Sequence, residues 1–387
     1  MKRIESIDAL RGLVMIIMAI DHCRDLIHVD AIAQSPTDLA TTYPALFFTR
    51  WITHLCAPTF VFLSGASVYL SMQKQNDLAG TRRFLISRGL WLVLLEFTVI
   101  GFGVWFDIKF RTFMFQVIGT IGIGFILLSL CLKLSSKTIG IIGVFIIALH
   151  DLIPLLPLQQ LPVLKATINF LFGVTFINIT KQVVFFSSYP VIPWLGIMMA
   201  GFGFGKIFLL DKVKSKKTLL TVGSCAILLF ILLRMINIYG DPAPWASQKN
   251  AQLTFLSFMN VSKYPPSLLF TLIMLGITIG FLGIIYHSNG RVVRLLSTYG
   301  KVPFFYYLLH WYIIHSILLI ILFAQGYSWQ TMDFSSFRFG RPNGPSGLSL
   351  PAVYAIWAGV ILLLYPICKW YGNYRAKHPE KWFLRYL

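Results

Sequence analysis

Apolar residues run along this chain in stretches close to the roughly 20 residues that a helix needs to cross a bilayer core, separated by shorter polar links. Such runs cover 8–28, 45–72, 84–106, 113–133, 138–156, 190–210, 218–236, 266–287, 302–324 and 350–371. The pattern predicts an all-α fold, a polytopic transmembrane helical bundle of about ten spans, built as one domain over 1–387. The stretch 160–186 is also apolar but carries Lys165 and Lys181. It reads equally as a re-entrant segment, an interfacial segment or a further pair of spans. The longer links 237–265 and 325–349 are rich in Pro, Gly, Asn, Ser and aromatic residues and read as ordered caps over a cavity.

Composition agrees. The chain is 57% hydrophobic and 12% charged, with a mean hydropathy of +0.73, whereas a soluble domain is about a quarter charged. The net charge of +19 would suggest a nucleic-acid partner if the cations formed one stripe, but they do not. They gather in alternate links, around Arg82, Arg83 and Arg88, then Lys133 and Lys137, then Lys206 to Lys217, then Arg291 to Lys301, and finally the tail from Lys369 to Arg385. With Lys2 and Arg3 this is the positive-inside arrangement. It predicts cytoplasmic N- and C-termini. The five cysteines show no CxxC spacing, so neither a disulfide framework nor a metal site is expected. Met1-Lys2-Arg3 before an apolar stretch imitates a signal peptide, yet Arg11, His22, Arg24 and Asp25 interrupt that stretch. The first helix reads as retained.

Ionisable residues inside spans are costly and usually face a cavity or one another. Arg11 and His22 are eleven residues apart, about 20° beyond three turns, so they share a helix face about 16 Å apart along its axis. That span suits the slender pantetheine arm of coenzyme A, with a guanidinium for the phosphate end and an imidazole for the thioester. The plainer alternative is an arginine that snorkels and a boundary histidine. Asp25 lies close enough on that face to orient His22, whereas Asp21 points elsewhere and reads as a capping residue in water. Arg50 and His54, one turn apart, either complete the cavity for an acceptor or hydrogen-bond between helices. Pro58 would free backbone carbonyls near His54. Glu96 should pair with Arg88 or Arg11. Arg82, Arg83 and Arg88 form a basic rim that either meets donor phosphates or only signals topology. Tyr306 and His310 are one turn apart, and His315 cannot share the face of His310; packing is the default reading of this group, with His310 the better cavity candidate. Arg234 also falls within a span. Gly201-Phe202-Gly203-Phe204-Gly205 reads as small-residue helix packing rather than a phosphate loop.

Ser6-Ile7-Asp8-Ala9-Leu10-Arg11-Gly12-Leu13, ending in His22, resembles the arginine–histidine signature of the transmembrane acyltransferase superfamily, to which the acyltransferase-3 enzymes belong. The likeness is closer to its heparan-alpha-glucosaminide N-acetyltransferase-like branch. Ala57-Pro58-Thr59-Phe60-Val61-Phe62-Leu63-Ser64-Gly65, Arg88-Gly89-Leu90-Trp91 and Gly300-Lys301-Val302-Pro303-Phe304-Phe305-Tyr306-Tyr307-Leu308-Leu309-His310 are similar to that branch. The resemblance implies an acyl group, acetyl above all, passed from cytoplasmic acyl-CoA to a carbohydrate or amino-sugar acceptor on the far side. It gives Arg11 and His22 the signature roles. Heparan-type enzymes carry asparagine at the position of His22 and a key histidine in the following loop, so the catalytic assignment is shared between His22 and His54, with Asp25 as orienting group. Donor-binding candidates are Arg11, Arg82, Arg83 and Arg88; acceptor or cavity candidates are Arg50, Glu96, Tyr306 and His310. The expected partners are acyl-CoA, a glycan or amino sugar and the lipid bilayer, with a homo-oligomer left open. The competing reading is a secondary transporter or flippase whose buried charges line a substrate or proton path. It lacks the paired halves such proteins often show.

Overall fold

The computed structural model describes residues 4–75, 77–155 and 161–385. Lys2 and Arg3, part of the charge pattern above, lie outside the described residues, as do the first residue of the stretch at 160–186 and the last of the run at 138–156.

In chain order the helices are α1 (Glu5–Ile27), α2 (Pro44–Thr53), α3 (Cys56–Gln75), α4 (Leu78–Leu95), α5 (Gly101–Trp105), α6 (Val117–Cys131), α7 (Ser136–Leu149) and α8 (Pro162–Phe172). There follow α9 (Val191–Phe204), α10 (Lys212–Ile236), α11 (Ala251–Met259), α12 (Leu268–Ile285), α13 (Arg291–Gly300), α14 (Pro303–Ala324) and α15 (Leu350–Lys377). Three short strands, β1 (Thr112–Phe115), β2 (Thr175–Asn178) and β3 (Val184–Ser187), are interspersed. Among the described residues each predicted run holds at least one of these helices. Among the described residues eight helical segments are long and apolar enough to cross a membrane. The polar α1 and the shorter α6 lie on the other two predicted runs. Leu228, Leu232, Phe145 and Leu362 are exposed on these helices, as lipid-facing residues should be.

Local chemistry sets the boundaries. Asp77 accepts from the Gly80 N–H, Asp211 from Lys214 and Ser267 from Phe270, each satisfying a donor at a helix start. Proline opens α2 and α14, where its missing N–H costs nothing. The chain breaks between α2 and α3 at His54–Leu55. Pro58 has no N–H to offer the His54 carbonyl, so the predicted disruption falls where the sequence places it.

α1 is the axle of the bundle, packed against α2, α3, α12, α13, α14 and α15. Its approach to α13 is backbone on backbone. A Cβ added at Gly12 would sit 1.8 Å from the Leu296 carbonyl oxygen, and one at Gly300 would sit 1.7 Å from that of Asp8. The Gly-Phe-Gly-Phe-Gly run also makes helix contacts, Gly201 against the Phe62 backbone and Gly203 against Gly140. This is the small-residue packing expected of it.

Three points differ from the sequence reading. The stretch 160–186 is not a pair of spans. α8 has 11 residues, about 16 Å at helical rise, and β2 and β3 follow it as an antiparallel hairpin, Thr175 opposite Ser187. β3 also pairs in parallel with β1, Thr112 opposite Val184. The run at 113–133 therefore begins as strand, and a small sheet of order β1-β3-β2 accompanies the helices. Arg234, in turn, is a structural staple. Its guanidinium donates to the carbonyls of Phe258, Ala243, Ser257 and Asn260, holding the link 237–265 down as a cap. Arg341 does the same for the link 325–349 through the His28 and Val29 carbonyls.

Candidate functional site

Three regions follow one another along α1. At the end where α1 begins, a cavity of about 360 Å³ is lined by Arg11, Ser67, Arg88, Lys301 and Arg375. We call this the basic end. Arg11 is partly exposed in it and reaches Asp8 Oδ1 at 3.4 Å and the Ser67 hydroxyl. Arg82 and Arg83 are exposed on the outer side of α4 and do not line it. One and two turns further along α1, Met15 and Met18 line an apolar neck of about 120 Å³ with Phe304 and Tyr307. Phe60, Ser64, Arg88, Phe125, Pro303 and Phe304 border both spaces, so the neck continues the basic cavity inward.

His22 comes next on the same face. It is half-buried, with Nδ1 buried and unpartnered. Its ring lies 3.9 Å from the Trp311 ring and 5.1 Å from that of His310, centroid to centroid. Tyr306 stacks on His310 at 5.6 Å. The Tyr306 hydroxyl, His310 Nε2 and Trp311 Nε1 are also buried without a hydrogen-bond partner. Buried polar atoms are normally satisfied; four orphans from α1 and α14 in one place mark a site built for something else. His315 is elsewhere, stacked on Phe106 at 4.0 Å with Nε2 on the Phe339 carbonyl. The sequence reading separated these two histidines correctly.

Beyond His22, at the opposite end, a third cavity of about 400 Å³ is lined by Arg24, Asp25, Arg50, His54, Lys263 and Tyr264. His54 is buried there, Nδ1 unpartnered, 5.6 Å from the Phe270 ring. Asp21 is the hub. Buried, it takes Arg24 at 2.8 Å and also Arg50. Burial would raise the Tyr264 phenol, but Lys263 and Arg50 beside it bring its pKa below the usual tyrosine value. A larger cavity, about 490 Å³, lies off this line beside His150, Lys165 and Tyr239.

Three sequence assignments change. Asp25 does not orient His22; it pairs with Arg24. Asp21 is no solvated cap but the buried anion between two arginines. Among the described residues no cation pairs with Glu96, which lines none of these cavities; its carboxylate accepts from the Gln116 N–H at 2.7 Å and the Gly119 N–H at 2.9 Å. It satisfies the exposed donors where α6 starts, and their partial positive charge serves in place of the expected arginine. Sequence reasoning passed over Arg24, Lys263, Tyr264, Lys301, Arg375 and Trp311 as site residues. Lys263 and Tyr264 stand beside α12 and Arg375 in the tail, where neither span polarity nor periodicity sets them apart.

Comparison with known proteins bears on this geometry. No curated protein matches the sequence. Residues 3–241 match the family described as heparan-alpha-glucosaminide N-acetyltransferase, catalytic, a stretch holding Arg11, His22, Arg50, His54 and Arg88 and ending before α14. The match covers more than half of the chain, which therefore belongs to this family of membrane acetyltransferases.

Proposed function

We propose that the protein transfers an acetyl or other short acyl group from acyl-CoA, entering at the basic end, to a glycan or amino-sugar acceptor in the opposite cavity. One observation carries the reading: His22 stands on the face of α1 that lines the basic cavity and its apolar neck, and along the helix it falls between these and the second polar cavity at Arg24 and Asp25. The basic cavity offers Arg11, Arg88, Lys301 and Arg375 to the phosphates of the donor. The apolar neck suits the thin pantetheine arm. Its axial length from Arg11 to His22, about 16 Å, brings the thioester to the imidazole. His22 acts as the base that frees the acceptor nucleophile, and Arg50, His54 and Asp25 meet the acceptor. On this reading the basic end faces the cytoplasm, in the plasma membrane.

The test uses purified protein in detergent with acetyl-CoA as donor and glucosamine as acceptor. His22→Ala should reduce turnover by about 10²–10⁴-fold with the thermal unfolding midpoint unchanged. His22→Ala at full rate would reject the assignment, and equal loss in His54→Ala alone would move it to His54. Electrogenic uptake of sugar without any acetyl transfer would favour a transporter instead.

A further inference from the structure

His310 lies outside the matched region, yet its ring is among the nearest to His22. Nδ1 of His310 is 3.2 Å from the Tyr306 carbonyl oxygen. A carbonyl only accepts, so Nδ1 must carry the proton, and in a neutral imidazole that leaves Nε2 with a bare lone pair. This Nε2 is buried and has no partner, and neither has Nδ1 of His22. No hydrogen bond joins the two rings in this structure, but their centroids are 5.1 Å apart, a separation at which two ring nitrogens turned toward each other come within hydrogen-bond reach. Trp311 holds the His22 ring at 3.9 Å, and Tyr306 and Tyr307 pack on His310 at 5.6 and 5.4 Å. The His310 nitrogen offers a lone pair, and the His22 nitrogen can carry the proton that would meet it.

We propose that His310 is the positioning residue of the reaction: its Nε2 accepts the Nδ1–H of His22 and fixes the tautomer in which His22 presents a bare Nε2. The inference rests on the acyl-transfer reading above. In that reaction the acceptor N–H or O–H gives its proton to His22 Nε2 as its heteroatom bonds to the thioester carbonyl carbon. The C–S bond then breaks, and the leaving thiolate takes the proton back as the free thiol. Between these events His22 is an imidazolium, and the bond from its Nδ1–H to His310 stabilises it. The arrangement parallels the orienting partner of a serine-hydrolase histidine, with a neutral imidazole in place of a carboxylate. A neutral partner suits this depth, where a further unpaired carboxylate would be costly.

Two measurements decide it. Ring-nitrogen NMR of the full chain in detergent, with isotope-labelled histidine, should show His310 protonated at Nδ1 and bare at Nε2, with the Nε2 signal moving when His22 is replaced by Ala. Protonation of His310 at Nε2, or a signal indifferent to His22→Ala, overturns the proposal whether or not the protein transfers acetyl groups. In the acetyl-CoA and glucosamine assay, His310→Asn keeps a donor for the Tyr306 carbonyl but loses the Nε2 acceptor. It should lower kcat about tenfold or more, leaving the KM for acetyl-CoA unchanged. His310→Gln, whose amide reaches the Nε2 position, should recover part of that loss. Equal effects of Asn and Gln, confined to thermal stability, would reduce His310 to packing and overturn the role. Wild-type protein without any transfer would sink the parent reading instead, and the NMR result would still decide whether the two imidazoles are joined.

Discussion

Asp21 carries a heavier electrostatic load than any other residue along the proposed path. Its carboxylate is buried between Arg24 and Arg50, while Asp25 takes Arg24 from its more exposed side. Removing one partner of a buried ion pair strands a charge, typically at a cost of about 3–5 kcal/mol, whereas an exposed pair contributes about 0–1 kcal/mol. Asp21→Asn should therefore lower the thermal unfolding midpoint in detergent far more than Asp25→Asn, whose side chain is 41% exposed. Similar midpoints for the two variants would mean that Asp21 is not the hub. Sequence spacing pointed to Asp25, because it is three residues from His22. What spacing cannot reveal is that Arg50, on another helix, reaches back to Asp21 and makes it the more buried of the two acids. Glu96 was misjudged for a related reason. A carboxylate inside a span implies a positive partner, and a helix N-terminus is one that leaves no cation in the sequence.

At the level of elements, α1 holds its place because α13 presses on it without side chains between. The Cβ of Gly12→Ala would collide with the Leu296 carbonyl, and overpacking of this kind costs about 1–3 kcal/mol. The variant should be less stable. It should also bind donor more weakly, since pushing α13 away displaces Lys301, which follows α13 directly and lines the basic cavity. Gly359→Ala is the control: within α15, its Cβ would meet nothing within 4 Å, so stability should hold or rise as expected of alanine in a helix. If both variants unfold at the same temperature, the close approach has no energetic weight. The long helices were legible because a bilayer imposes a length and an apolarity that leave a plain trace. The short elements were not. A strand of four residues such as β3 pairs with partners about ten and seventy positions away, and no local periodicity announces it. The apolar α8 and the hairpin after it therefore blurred into one ambiguous stretch.

For the whole molecule, the decisive feature is that two polar cavities lie toward opposite ends of α1 and the basic one narrows inward into an apolar neck. A neck of about 120 Å³ is well below the roughly 300–1,000 Å³ of a drug-sized ligand site, so the nucleotide end of a donor cannot pass. Its phosphates would also have to shed water at membrane depth, which charge makes prohibitive. Only the acyl group need travel the full distance. The reaction should accordingly be vectorial. In proteoliposomes sorted by the accessibility of a tag after Leu387, acetyl-CoA supplied to the basic end should acetylate glucosamine sealed on the other side, while acetyl-CoA on that other side should not. Arg11→Ala should raise the donor KM with little change in kcat, because a contact made equally in ground and transition states lowers affinity alone. Transfer only when donor and acceptor share one compartment would mean that the neck is not the route. The two cavities would then be separate sites, and the alignment of Arg11, Met15, Met18 and His22 on α1 would reflect packing.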